Sequence, residues 1–248
     1  MDTAAIHIEN LGFTYPGQVK PCFSGLSLEI AKGERFGLFG PNGAGKTTLI
    51  QCMNGLLNYQ QGSIRLLGQE VKSRKKSVKN CFGFVPQDFS FYQELSPLEN
   101  LYFFGAWYGM RREEIKKRTA DLLSALELGK VGKKPVHTFS GGMKRRVNLA
   151  IGVMHKPLVL FLDEPTVGVD VQTRHAIIAY LKALNAEGTT LVYTSHQLTE
   201  AEDLCERIAL IDEGRLIAVD RLDRLLREHR EDGLEGLFLN LTGRAYRD

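Results

Sequence analysis

The string Gly40-Pro41-Asn42-Gly43-Ala44-Gly45-Lys46-Thr47 satisfies the pattern G-x-x-x-x-G-K-[ST], and it constrains the chain more than any other feature. Its flanks agree with it. Arg35 to Phe39 has the length and apolar character of a buried strand, and after the glycines Leu49, Ile50, Met53, Leu56 and Leu57 recur at helical spacing. Glycines let the backbone curl until successive N–H groups point at phosphate oxygens, while the helix that follows presents the positive end of its dipole. In such a loop Lys46 reaches the β- and γ-phosphates, the Thr47 hydroxyl is a ligand for Mg²⁺, and Thr48 adds a phosphate contact. The motif alone leaves ATPases, GTPases and small-molecule kinases open. No N-K-x-D guanine-reading motif accompanies it.

The rest of the chain suits one elaborated domain or two tightly joined subdomains. Between Ile6 and Ile30 two short strands flank a turn-rich segment with Tyr15, Pro16, Gly17 and Pro21, and Ser63 to Leu67 adds a third strand to an antiparallel patch. From Leu98 to Met154 the periodicity is helical, with Leu122, Leu123 and Leu126 in one apolar stripe. Leu158 to Leu162 and Thr189 to Thr194 are β-rich runs around a helix with Asp170 as its N-cap and Gly188 just past its end, an alternation that implies parallel strands. Arg207 to Asp220 reads as a hairpin turning at Asp212, Glu213 and Gly214, followed by a charged helical tail. Asp163 closes the run Leu158 to Leu162, where a carboxylate at a strand tip can meet Mg²⁺. Glu164, one residue on, can polarise an attacking water as general base.

Composition narrows the partners. Lys plus Arg number 32 against 29 Asp plus Glu, and a net charge of +3 makes no case for nucleic acid. The densest basic stretch, Lys72, Arg74, Lys75, Lys76 and Lys79, lacks interleaved aromatics and reads as a solvated loop. Cys22, Cys52, Cys81 and Cys205 show neither metal-ligand nor disulfide-framework spacing, as expected of free thiols in a reducing compartment. No window approaches the ~20 apolar residues that span a bilayer, so a membrane role requires a partner chain.

Phe139-Ser140-Gly141-Gly142-Met143, upstream of Leu158 to Glu164, resembles the signature motif of ATP-binding cassette (ABC) proteins. A serine and two glycines opening the helix Lys144 to Met154 form a second anion-binding helix start. The resemblance spans almost the whole sequence. It implies an α/β fold with a phosphate-loop NTPase core of mixed, largely parallel sheet, an N-terminal antiparallel β subdomain and an inserted α-helical subdomain. Its boundaries would fall as a single domain at 1–230, with core at about 1–87 and 156–220, helices at about 88–155 and a helical tail at 221–248. In that family each nucleotide lies between the phosphate loop of one cassette and the signature of another, so a single cassette implies a homodimer or heterodimer. Tyr15 resembles the aromatic that stacks on adenine, Gln87 the glutamine that senses Mg²⁺ and the attacking water, and His196 the switch histidine at the γ-phosphate. Gly168, Val169 and Asp170 resemble the loop through which paired cassettes communicate, although Asp170 also suits a plain helix cap.

Phe139 stands in place of the family's usual leucine and Met143 in place of its glutamine. The latter variant, with Glu164 to Asp170 and the ending Leu234 to Asp248, resembles drug- and polysaccharide-exporter ATPases. The implied protein is an Mg²⁺-dependent ATPase at the cytoplasmic face of the membrane, held there by a permease subunit. The apolar run after Gln87, from Phe89, Phe91 and Tyr92 to Trp107 and Tyr108, suits a mixture of core packing and a groove for a short partner helix. A soluble cassette ATPase serving cluster assembly, translation or DNA maintenance is the competing expectation.

Overall fold

Two burial periodicities divide the strands into two sheets. In a computed structural model that describes residues 4–73, 76–195 and 198–243, Leu26, Leu28 and Ile30 alternate inward along one strand, whereas residues 159–163 and 190–194 are buried without a break. Alternation marks a sheet with one wet face; continuous burial marks parallel strands covered on both faces.

In chain order the elements are β1 (Ala4–Phe13), β2 (Phe23–Ala31), β3 (Arg35–Phe39), α1 (Lys46–Met53), β4 (Gln61–Leu66), β5 (Gln69–Glu70), α2 (Lys76–Cys81), β6 (Phe82–Val85) and α3 (Pro97–Trp107). Then follow α4 (Arg112–Ala125), α5 (Gly141–Gly152), β7 (Val159–Asp163), α6 (Val171–Ala186), β8 (Thr190–Thr194), α7 (Leu198–Leu204), β9 (Arg207–Asp212), β10 (Arg215–Arg221), α8 (Leu222–His229) and α9 (Leu234–Thr242). The antiparallel sheet runs β2-β1-β4-β5, and the larger sheet runs β10-β9-β3-β8-β7-β6. Its strands from β9 to β6 are parallel, with β10 an antiparallel edge. This is the expected α/β class. Because β3, β8, β7 and β6 are parallel neighbours, the segments leaving their carboxyl ends, at residues 40, 195, 164 and 86, emerge along one edge. That edge is where open α/β sheets bind ligands.

The helices between β6 and β7 are set by local signals. Ser96 caps α3 by accepting from Glu99 N while Glu99 Oε2 accepts from Ser96 N at 2.8 Å, with Pro97 at the first helical position. Ser140 caps α5 by accepting from Met143 N at 3.3 Å. Within the described residues the tail forms α8 and α9, whose apolar sides dock: Leu222, Leu225, Leu234 and Leu237 are buried, and Glu202 on α7 accepts the Leu234 N–H at 2.9 Å.

Three expectations need correction. The helix after the phosphate loop stops at Met53, because Gly55 turns left-handed at φ 76° and the Asn54 side chain captures the Leu56 N–H at 3.1 Å; Leu56 is then exposed despite its helical spacing. The described part of the basic stretch is exposed as expected but helical rather than loop: Lys72 lies in a 3₁₀ turn with its ammonium 4.0 Å from the centroid of the Tyr59 ring, and Lys79 lies on α2. Arg74 and Lys75 lie outside the described residues. Leu158, expected to open a buried strand, is 56% exposed one position before β7.

Candidate nucleotide pocket and a separate helix start

The phosphate loop leaves β3 and wraps back onto α1. Gly43 and Gly45 adopt φ of 80° and 107°, the left-handed region where a side chain would strain the backbone. Gly40 is required for another reason: a Cβ there would lie 2.0 Å from the Ile211 carbonyl oxygen on β9. The hairpin turn between β9 and β10 supports the loop from beneath, with Gly214 N donating to Ala44 O at 3.1 Å. Lys46 is buried, and its ammonium donates to the carbonyls of Gly40 at 2.7 Å and Pro41 at 3.1 Å. Burial pulls its pKa down, opposed by the carboxylates of Glu164 and Asp163.

Beside the loop, Thr47 Oγ1 donates to Asp163 Oδ1 at 3.2 Å, and Thr194 Oγ1 donates to the same oxygen at 2.8 Å. Desolvation raises the Asp163 pKa against these two hydrogen bonds, Glu164 adds to the rise, and Lys46 opposes it. A buried carboxylate pushed upward in this way favours a cation beside it, and the oxygens of Thr47 and Asp163 are the hard ligands that Mg²⁺ takes together with phosphates and water. Among the described residues there is no cluster of three or more His, Cys, Asp or Glu side chains that could hold an ion unaided. The oxygens of Thr47 and Asp163 fit Mg²⁺.

Glu164 is buried at a left-handed φ of 49°, held there by its N–H bonded to Thr194 Oγ1 at 3.1 Å. A non-glycine residue in that region costs energy, and such strain persists where the surroundings enforce it, often at functional sites. Gln87, leaving the next strand, donates from Nε2 to Glu164 Oε2 at 3.1 Å. Both line a cavity of about 470 Å³ with Tyr15, Lys46, Thr47 and Thr48. Asn42, Gly43, Ala44 and Gly45 also line it; Gly40 and Pro41 underlie it through Lys46. The Tyr15 hydroxyl meets Thr48 Oγ1 at 2.8 Å, so the hydroxyl of buried Thr48 is engaged at this wall. His196 lies outside the described residues.

Residues 139–143 line no part of this cavity. Phe139 is buried, while Ser140 and Gly141 are exposed at the start of α5. Gly142 faces Thr173, which a Cβ would approach to 3.1 Å, so α5 and α6 begin side by side. Met143 is partly buried against the helical core. Asp170 is the N-cap of α6: Oδ1 accepts from Thr173 N at 2.9 Å and Oδ2 from Thr173 Oγ1 at 2.8 Å, and these bonds hold its pKa down.

Several contributors had no distinctive signal in the sequence. Cys22, Glu213 and Gly214 line the cavity from segments read only as turn or hairpin. Thr194, a hydroxyl ending an apolar strand, was legible in principle. Arg145 looks like one charge among Lys144, Arg145 and Arg146, yet it is buried and reaches two functional segments.

The fold and loop define a phosphate-loop nucleotide-binding protein. Residues 23–167 match the model of the ABC transporter family, and the chain belongs to that family. It is 45% identical over 200 residues to the linearmycin resistance ATP-binding protein LnrL of Bacillus subtilis, a match covering 81% of this chain and 64% of that protein. It is 40% identical to a Nod factor export ATP-binding protein I of a Rhizobium species, over 83% of this chain and 68% of that one. The matched region thus spans about two thirds of the length of these relatives. Among solved structures, an ATP-binding subunit of an ABC transporter superposes with a TM-score of 0.87 at 27% identity, covering 96% of this chain and 99% of that one. A dimeric post-hydrolysis ATP-binding cassette bound to ADP and Pi gives a TM-score of 0.80 at 26% identity, covering 88% and 98%.

Proposed function

We propose that this chain is the ATP-binding and ATP-hydrolysing subunit of an exporter, working as a pair of cassettes on a separate membrane permease. The observation that carries the reading is the split between the phosphate-loop cavity and the exposed helix start at Ser140, which lines no part of it. Two anion cradles facing different places in one chain are complete only when a second chain brings its own cradle over the nucleotide. The dimeric relative with ADP and Pi supports this pairing, and relatives named for drug resistance and Nod factor export support an exporter.

Lys46 and the loop N–H groups bind the β- and γ-phosphates. Thr47 and Asp163 would hold Mg²⁺, which supplies charge neutralisation to the transferring phosphoryl group. Glu164 orients and deprotonates the attacking water, and Gln87 fixes the Glu164 carboxylate. The role of His196 at the γ-phosphate rests on the family resemblance. Asp170 caps α6 and would stand at the contact between cassettes.

Complementation tests the pairing. Lys46→Ala breaks the loop and Ser140→Arg blocks the helix start, so each variant alone loses ATP turnover. Mixed in equal amounts, they pair at random so that about half of the dimers carry one intact composite site of two, and turnover recovers to about a quarter of wild type. Mixtures as silent as either parent would sink the shared-site reading.

The permease groove has its own test. Tyr92, in the segment before α3, and Phe103 and Trp107 on α3 are exposed at 48%, 41% and 77%, while Leu101 of α3 is buried, so the helix divides between core and surface. Tyr92 packs edge-on against Phe103 at 4.9 Å, making a contiguous aromatic face of the kind that takes an apolar helix. Tyr92→Asp should abolish co-purification with membrane proteins from detergent extracts and leave ATP hydrolysis by the isolated chain intact. Unchanged recovery would count against the groove.

A further inference from the structure

Helix α5, which begins at the Ser140 cap, is bound along its length to the segment that carries Gln87. At its far end the backbones touch: a Cβ on Gly83 would lie 2.1 Å from the Gly152 carbonyl oxygen, and a Cβ on Gly152 would lie 2.5 Å from Val85 Cγ2. One turn back, buried Asn148 donates from Nδ2 to the Pro86 carbonyl at 3.0 Å. Three residues nearer Ser140, on the same face, Arg145 donates from an Nη to the Gln87 carbonyl. Its Nε donates to the Val167 carbonyl at 3.3 Å, and its guanidinium lies 4.8 Å from the Phe89 ring centroid. Arg145 is 7% exposed, and burial pulls its pKa down against the charges of Asp88 and Glu164.

We propose that Arg145 is a positioning residue that makes α5 and Gln87 move as one body, so that engagement of Ser140 with the nucleotide held by the partner cassette sets the Gln87–Glu164 contact in this chain's own site. This rests on the roles given above to Gln87 and Glu164. Both Arg145 bonds are to backbone carbonyls, which have no rotamers with which to follow a displaced donor. A guanidinium presents donors in a rigid fork and can hold two carbonyls at once, whereas a lysine ammonium on a flexible stem cannot fix both. The Val167 bond extends the link to the segment that follows Glu164, so the fork ties the two catalytic side chains' backbones to the same helix.

The test is a double-mutant cycle in ATP turnover by the full chain, using Arg145→Lys and Gln87→Ala. Arg145→Lys is expected to lower kcat about ten-fold and to change KM for ATP by less than about two-fold, since Lys46 and the loop are untouched. In the Gln87→Ala background the same change should slow turnover by less than about two-fold more, because the residue it acts through is already gone. A merely structural role predicts effects that multiply in both backgrounds, and that outcome overturns the lever while leaving the function intact. If Gln87→Ala alone turns over at the wild-type rate, the Gln87 role and the lever both fall. Asn148→Ala, which frees the neighbouring Pro86 carbonyl, must show the same dependence on Gln87; it carries the cycle if Arg145→Lys does not fold.

Discussion

Glu164→Gln is expected to bind ATP with near-normal affinity, to lose about a hundred-fold or more of its turnover, and to accumulate as an ATP-bound dimer. The substitution preserves volume and leaves the positioning contacts in place: the backbone N–H of residue 164 still meets Thr194 Oγ1 at 3.1 Å, and the left-handed φ of 49° is enforced by backbone surroundings that do not change. What disappears is the second carboxylate oxygen, and with it the proposed base for the attacking water. In the proposed site phosphate is bound by Lys46 and the loop N–H groups, all of which the substitution keeps, so affinity is spared. Closure driven by ATP then has no hydrolytic step to reverse it. Single-turnover hydrolysis and size-exclusion chromatography with Mg-ATP check the two halves of this expectation. Near-normal turnover would remove Glu164 from the reaction.

Glu200→Ala is expected to destabilise the chain by about 3 kcal/mol, through loss of a buried carboxylate, its ion pair with the partly exposed Arg174 and the hydroxyl hydrogen bonds it accepts. Glu200 is 4% exposed, and its Oε2 accepts from Thr166 Oγ1 at 2.5 Å, Tyr193 OH at 2.6 Å and Ser195 Oγ at 3.0 Å. Its Oε1 pairs with Arg174 Nε at 2.9 Å. Truncation leaves that arginine and three hydroxyls facing a cavity. For a chain of this length, about 3 kcal/mol corresponds to a fall in Tm of roughly 6–12 °C. Tyr193→Phe removes one donor and keeps the ring, so it should cost about 1 kcal/mol. Thermal melts of both variants decide the matter, and a Glu200→Ala melt within about 2 °C of wild type would show that the carboxylate is dispensable to stability. Thr166 lies two residues after Glu164 and Ser195 one residue after β8, so the same carboxylate bolts together two of the segments at the nucleotide edge.

Much of the site was legible before the fold was known. The phosphate loop, the Asp163-Glu164 pair, the Ser140 helix start and the Asp170 cap follow from local patterns, each a short stretch, whereas Gln87 was singled out only through the family resemblance. Leu56 and Leu57 mislead because helical spacing says nothing of where a helix ends; Gly55 and Asn54 end it. The tertiary contacts of Arg145 and Glu200 were invisible. One sits in a basic run and the other on a helix with Glu202 and Asp203, where charge alone suggests a solvated face.

The boundary between the two kinds of knowledge follows sequence separation. By itself the sequence determined the turns, caps and loop that present N–H groups to phosphate, since Asp170 meets Thr173, and Lys46 meets Gly40 and Pro41, within six residues. Only the tertiary structure decided that Gln87 faces Glu164 across 77 residues, that Arg145 grips carbonyls 58 and 22 positions away, and that Glu200 collects Thr166 from 34 positions away. Those pairings depend on the order β3-β8-β7-β6 and on the register of α5 along β6. Strand order and helix register are set by packing of the whole core, and no local periodicity encodes them.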